Sequence, residues 1–171
     1  MNKKTKLKTM KFLKRFSSII PIIIILAFSF WPIQVLEIYS LPDRSLLFRS
    51  KLPKTGDFKL HYIHSWDKTP VWDVFKINLL GQLVLEREEY LWMGAGLESY
   101  SGANIDFNGE YVSVKHNKNI GELQLAVGTV ANHQLIIDSK EIALSNLVSP
   151  GNKVLIKTKI LPLIVFYFER K

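Results

Sequence analysis

Short, strand-like segments follow one another through most of this chain. After Leu36 no stretch keeps apolar residues at helical spacing for about a dozen positions; instead, segments rich in Val, Ile, Leu, Phe and Tyr alternate with Gly, Asn, Asp, Ser and Pro. This pattern predicts an all-β domain of antiparallel strands, folded as a β-sandwich or as a barrel-like domain. The predicted strands cover residues 34–40, 45–50, 57–64, 71–78, 82–92, 103–107, 111–116, 122–127, 134–137, 141–144, 153–159 and 163–168.

Glycine-containing turns separate several of these segments. NLLGQ (78–82) and KTGD (54–57) each place a glycine where a tight turn favours positive φ, and Pro150-Gly151 marks a third turn. Asn108-Gly109 is the preferred pair for a two-residue type I′ hairpin. The chain is therefore predicted to form one domain, with no linker long enough to divide it.

An uncharged run of 21 residues, 16–36, precedes the predicted domain. As a helix it would be about 31 Å long, which matches the hydrocarbon thickness of a bilayer. The basic residues before it predict a cytoplasmic tail over 1–15, a single transmembrane helix (a signal anchor) over 16–36, and an extracytoplasmic domain over 37–171 at the cell membrane. A cleaved signal peptide is the alternative, since Ala27 and Ser29 are small residues at positions that a signal peptidase recognises; the domain would then be secreted.

The net charge of +8 belongs to the N-terminal tail. Seven of the 23 Lys and Arg residues, and none of the 15 Asp and Glu residues, lie within residues 1–36, so the rest of the chain is nearly neutral. Nucleic-acid binding would need basic residues clustered on the folded part, and we therefore expect no nucleic-acid partner. Because the chain has no cysteine, a disulfide framework and thiolate chemistry are excluded.

HSWDKTPVWDVF (64–75) gathers most of the chemically interesting side chains of the domain. On an alternating strand His64 and Ser65 point to opposite faces, and no G-x-S-x-G segment occurs, so a serine hydrolase is disfavoured. The four histidines lack metal-ligand spacing, and we predict neither a metal nor a cofactor. His64 is expected to be half-buried and hydrogen-bonded. Asp73 needs a partner or a raised pKa if its side of the strand faces the core, and is solvated otherwise; the sequence leaves both possibilities open.

WMGAGLES (92–99) is the second unusual segment. Gly94 and Gly96 flank Ala95 directly after a long predicted strand, and such a turn exposes backbone N–H groups to a partner or an anion. The third glycine and the following helix of a dinucleotide-binding motif are missing, and a tight strand exit is the alternative. Because the two strands before this turn form a predicted hairpin, we expect the turn to return to the end of the hairpin where residues 65–70 lie.

Together, YIHSWDKTPVWDVF and the MGAGL segment about twenty residues later resemble the bacterial and archaeal family called domain of unknown function eighteen-fifty. The resemblance runs from about Phe58 to Leu135, and its members are small exported proteins with an H-S-x-E-K-T-x-x-x-E type segment and a G-A-G-L-P type segment. Here Asp67 and Asp73 stand in place of glutamates, and Glu98 stands in place of the proline. The family implies no established activity. Its members are often associated with TRAP-type transporters, which use a soluble solute receptor, and this implies an accessory role.

We therefore expect a non-enzymatic accessory or partner-binding protein of a TRAP-type transporter, attached to the membrane by its N-terminal helix and binding a transporter subunit or the solute receptor. A small-molecule binding module is the alternative, and a small hydrolase is less favoured. A partner-binding module should present an exposed, Trp-rich apolar patch, whereas an enzyme should hold His64 and an acid with a shifted pKa in one pocket. The candidate binding patch consists of His64, Ser65, Asp67, Lys68, Thr69, Asp73, Gly94, Ala95, Gly96 and Leu97.

Overall fold

Two open β-sheets dominate the structure, a computed structural model that describes residues 19–91, 104–108 and 111–168. Helix α1 covers residues 19–29, and helix α2 covers Leu163–Phe168. The strands of the described residues are β1 (Pro32–Leu41), β2 (Leu46–Lys51), β3 (Phe58–Ile63), β4 (Pro70–Ile77), β5 (Leu83–Tyr90), β6 (Asn104–Asn108), β7 (Tyr111–Gly121), β8 (Leu123–Ala126), β9 (Gln134–Ile137), β10 (Lys140–Ala143) and β11 (Lys153–Pro162).

The smaller sheet has the strand order β2-β1-β11-β8, and the larger sheet has the order β10-β9-β3-β4-β5-β7-β6. The strands β3, β4 and β5 pair antiparallel as consecutive hairpins, whereas β5 pairs antiparallel with β7, and β6 lies beyond β7 at the edge of the sheet. Neither sheet closes on itself within the described residues, so the barrel-like alternative gives way to a β-sandwich. The all-β, antiparallel prediction is confirmed.

The main hydrophobic core of the described residues lies between the two sheets. The smaller sheet contributes Leu36 and Ile156, and the larger sheet contributes Phe58, Phe75 and Leu135, all almost fully buried. The rings of Phe58 and Phe75 stack with their centroids 5.1 Å apart. Because side chains alternate between the two faces of a strand, this packing fixes which residues point inward along β3 and β4.

A buried charge network covers the opposite face of the smaller sheet. Glu37 is 0 % exposed and accepts hydrogen bonds from Arg49 Nε at 2.7 Å and from the Tyr39 hydroxyl, while Lys159 Nζ lies 3.1 Å from its other oxygen. Burial alone would raise the pKa of Glu37, but these three donors lower it below its ordinary value. The network therefore keeps the carboxylate ionised inside the protein.

The described part of the chain falls into two compact units. Gln34–Ile160 contains the core and the sheets except for the first two residues of β1 and the last two of β11, and the second unit contains residues 19–33 and 161–168. Within the second unit the Leu163 amide donates a hydrogen bond of 2.9 Å to the Trp31 carbonyl. Among the described residues, no helix combines the length and the apolar character that a membrane span requires. The predicted tail, 1–15, lies outside the described residues.

Two predicted boundaries are wrong. The apolar run was expected to be helical as far as Leu36, but residues 32–36 form the first half of β1, where Val35 and Leu36 are fully buried. The last predicted strand, 163–168, is helix α2. Pro162 has no N–H to continue a ladder, and β1, the neighbour of β11, begins at Pro32, so the residues after Pro162 have little strand left to pair with.

The other eleven predicted strands are observed, β7 being longer than expected. Gly81 adopts φ +77° and Gly151 φ +93°, so both turns use the backbone conformation that favours glycine. Asn108 pairs with Tyr111 across β6 and β7, which is the register of a two-residue hairpin; Gly109 itself lies outside the described residues.

Candidate functional site

The loop of residues 64–69 joins β3 to β4 and is closed by its own hydrogen bonds. The His64 amide donates to the Thr69 carbonyl at 2.8 Å, and the Lys68 amide donates to the His64 carbonyl at 3.2 Å. Lys68 has φ +59°, a left-handed conformation that a lysine adopts rarely. Its ammonium group donates to the Ser65 carbonyl. The loop is therefore a compact, ordered turn.

Asp67 is the centre of this turn. Its Oδ1 accepts hydrogen bonds from the Thr69 hydroxyl at 2.8 Å and the Thr69 amide at 3.2 Å, and lies 2.9 Å from His64 Nδ1. The Thr69 hydroxyl, and to a lesser extent His64, hold the pKa of Asp67 below its ordinary value. His64 is half-buried and bonded, as the sequence predicted, and the bonds of Asp67 hold the loop in one shape.

Trp66 is the outward-facing residue of the loop. Trp66 is 80 % exposed, whereas Asp67 and Thr69 are partly buried. Ser65 and Lys68 are also exposed. The loop thus exposes one large aromatic side chain and two polar ones, while His64, Asp67 and Thr69 bond to one another through Asp67 Oδ1; Asp67 Oδ2 is buried without a hydrogen-bond partner among the described residues.

Asp73 faces the interior of the sandwich. It lies opposite Leu60 of β3 and opposite Glu88 of β5, which settles the alternative that the sequence left open. Tyr62 donates a hydrogen bond to the carboxyl group, and Oδ1 is buried without a hydrogen-bond partner among the described residues. Burial, and after it the charge of Glu88, raise the pKa of Asp73 to about 7, although the Tyr62 bond opposes this rise.

An interior polar cluster therefore surrounds Asp73; we use this name for Tyr62, Asp73, Glu88, Tyr90 and His116. Glu88 Oε2 accepts a hydrogen bond from the Tyr90 hydroxyl and lies 2.9 Å from His116 Nε2. Burial raises the pKa of both tyrosines, so both hydroxyl groups remain donors at neutral pH. The cluster can hold a proton on Asp73, because the carboxyl group of Asp73 is buried beside the charge of Glu88 and its pKa is raised.

Sequence reasoning identified only Asp73 of this cluster. The nearest candidates in sequence for its partner were His64 and Lys68, but His64 bonds to Asp67, and Asp73 bonds to Tyr62. Tyr62 could have been found, since it lies on the same face of β3 as the buried Phe58 and Leu60. Glu88 could not, because a β-bulge changes the face on which it lies.

A groove of about 860 Å³ lies on the other face of the larger sheet. Trp72 forms part of its wall, stacked on His61 at 5.1 Å and touched edge-on by Tyr111 at 5.5 Å. Arg87 forms ion pairs with Glu86 at 2.6 Å and Glu89 at 2.8 Å, and Lys59 also pairs with Glu89, at 2.9 Å. Neither His64 nor Asp73 lines this groove, so it is separate from the predicted patch.

Gly94, Ala95, Gly96 and Leu97 lie outside the described residues. Their expected proximity to the loop of residues 64–69 stays a prediction. Among the residues that the structure does describe, no three His, Asp or Glu side chains converge as metal ligands do.

One protein family matches the part of the chain that contains these residues. A family model described as "Domain of unknown function (DUF1850)" matches residues 58–144, about half of the chain. The chain belongs to the DUF1850 family. The match contains the loop of residues 64–69, the interior polar cluster and every strand of the larger sheet, whereas β1, β2 and β11 of the smaller sheet lie outside it. Neither the curated proteins nor the solved structures include a match to this chain.

Proposed function

We propose that this DUF1850 protein is a non-enzymatic binding protein, attached to the outer side of the cell membrane through its N-terminal apolar segment, that docks a protein partner through the loop of residues 64–69. The observation that carries the proposal is Trp66, 80 % exposed on a loop whose own hydrogen bonds hold it in place. Tryptophan is enriched among the residues that dominate binding energy, and an ordered loop loses little conformational entropy on binding.

The position of Trp66 along the sheet favours a soluble partner. The strand β4 runs from the 64–69 loop to the 78–82 turn, and its eight residues span roughly 26 Å. The 78–82 turn lies beside Gln34, three residues after Trp31, at the end of the domain where the N-terminal segment enters. Trp66 is therefore at the end of β4 that is remote from the proposed attachment point.

Among the components of a TRAP-type transporter, the soluble solute receptor fits this position better than a membrane subunit. The transporter association itself comes from the resemblance of the HSWDKT and MGAGL segments to the family. An enzyme is less favoured, since His64 bonds to Asp67 while the acid with the raised pKa, Asp73, bonds to Tyr62.

Site-specific cross-linking tests the proposal. A photoreactive phenylalanine analogue at position 66 should form a covalent adduct with the solute receptor in intact cells, and the same analogue at Leu79, at the other end of β4, should not. Trp66→Ala should then reduce co-purification of the receptor without changing the circular dichroism spectrum. Equal recovery with and without Trp66, from folded and exported protein, would refute the docking role of the loop.

A small-molecule binding module is the second candidate, and the groove beside Trp72 favours it, because an aromatic wall with paired charged groups can orient a polar solute. Thermal unfolding in the presence of a panel of sugars and organic acids is the test. A shift that disappears in Trp72→Ala would support the groove as the binding site, and the absence of any shift would count against this function.

A further inference from the structure

The turn between β4 and β5 exposes apolar side chains where turns ordinarily carry polar ones. Leu79 is fully exposed and Leu80 is 83 % exposed. The turn is held by Asn78, whose Oδ1 accepts hydrogen bonds from the amides of Leu80 and Gln82, both at 2.9 Å. Its polar side chain is therefore occupied with the backbone, while the two leucines project from the turn and are largely exposed among the described residues.

Leu80 shares a shallow groove with a third exposed apolar side chain. Leu80 and Ile160, the latter 61 % exposed, line the same shallow groove together with Gln34. The Thr158 hydroxyl donates to the Gly81 carbonyl, which attaches the turn to β11. We call Leu79, Leu80 and Ile160 the leucine tip. Single exposed leucines are common on protein surfaces, but two exposed leucines on one turn, with the exposed Ile160 beside Leu80, are typical of a contact surface.

Chain connectivity shows which surface the leucine tip can reach. Gln34, in the same groove, is three residues from Trp31, and three extended residues span at most about 10 Å. The uncharged run covers residues 16–36. Trp31 is its last residue before β1, which begins at Pro32. If that run is in a bilayer, the leucine tip lies within a short distance of the lipid headgroups.

We propose that the leucine tip inserts into the outer surface of the membrane and so fixes the orientation of the sandwich. The inference rests on the proposed membrane attachment and adds a second, independent contact to it. Apolar side chains bury about 5–10 Å deep at the boundary of headgroups and acyl chains, a depth that two leucines on a hairpin turn can reach. With the 78–82 turn at the lipid, the far end of β4 carries Trp66 away from the membrane.

The absence of cysteine makes the test direct. Leu80→Cys, Leu26→Cys and Trp66→Cys, each in the full chain, can be labelled singly with a nitroxide and reconstituted into vesicles of phosphatidylethanolamine and phosphatidylglycerol. Accessibility to oxygen, which concentrates in lipid, is compared with accessibility to a water-soluble nickel complex. We expect lipid-like values at positions 80 and 26 and water-like values at position 66, with Leu79→Cys repeating the result for Leu80→Cys.

Each of three other labelling results would refute a specific part of the proposal. A lipid-like label at position 26 with a water-like label at positions 79 and 80 refutes the insertion of the leucine tip and leaves the attachment intact. A water-like label at position 26 refutes the proposed attachment and the inference with it. Labels at positions 79 and 80 that are shielded from both reagents show a protein contact, such as a second copy of the chain, and refute the lipid contact.

Discussion

Replacing Asp73 by Asn should change how the stability of the protein depends on pH. The side chain of Asp73 is largely buried, faces Glu88 across the β4–β5 pair, and has its pKa raised from the ordinary 3.8 to about 7. In the unfolded chain the carboxyl group loses its proton near pH 4. Between about pH 4 and pH 7 the folded protein therefore holds a proton that the unfolded chain has released.

The sign and the size of the effect follow from this difference. Because the unfolded state binds fewer protons in this interval, the free energy of unfolding falls as the pH rises from about 4 to about 7. A rise of the pKa from 3.8 to about 7 corresponds to about 4 kcal/mol when the loss is complete, above pH 7. Asn cannot ionise, so Asp73→Asn should match the wild type within about 1 kcal/mol near pH 4 and exceed its stability by about 3–4 kcal/mol at pH 8.

Urea unfolding followed by tryptophan fluorescence at several pH values measures this difference. Two variants of the interior polar cluster serve as controls with opposite signs. Glu88→Gln removes a neighbouring charge and should lower the pKa of Asp73, whereas Tyr62→Phe removes a bond to the ionised form and should raise it further. A constant stability difference between Asp73→Asn and the wild type from pH 4 to pH 8 would refute a buried, titrating Asp73.

Three further expectations concern other parts of the fold. Glu37→Gln leaves Arg49 without its buried carboxylate and should lower the free energy of unfolding by about 3 kcal/mol in urea titrations; because folding lowers the pKa of Glu37, the wild type should also lose stability as the pH falls below the ordinary value of 4.5. A chain that begins at residue 37 rather than 31 lacks two fully buried side chains of β1 and should unfold about 4 kcal/mol more easily by circular dichroism. Asp67→Ala should accelerate hydrogen exchange of the Thr69 amide, measured by NMR.

The strands could be predicted because each has a local signal in the sequence. Segments such as Gln134–Ile137 have the composition of strands and are bounded by turn residues on both sides. Leu163–Phe168 has the same apolar composition but is a helix. Its conformation depends on whether a neighbouring strand remains to pair with, and this is decided by where β1 begins, more than 120 residues earlier in the chain.

The 64–69 loop and the environment of Asp73 also differ in how far the local sequence could predict them. The 64–69 loop is built from contacts between residues at most five positions apart, and its half-buried histidine was predicted. The environment of Asp73 comes from Tyr62 on one neighbouring strand and Glu88 on the other, so it depends on the register of three strands. The sequence left open whether Asp73 faces the core, where it needs a partner, or the solvent, and it could not show which residue would supply that partner.

Glu88 shows why register is difficult to predict from β5. Leu83 is buried in the core, and strict alternation from it would turn Arg87 and Glu89 inward. Instead, Val74 pairs with Arg87 and the next residue, Phe75, pairs with Leu85, so one residue of β5 has no counterpart on β4. This bulge turns Glu88 toward Asp73 and leaves Arg87 and Glu89 on the face with the groove. The segment EREEY carries glutamates at both odd and even positions, so the same composition fits either face, and only the bulge decides which carboxylate becomes the neighbour of Asp73.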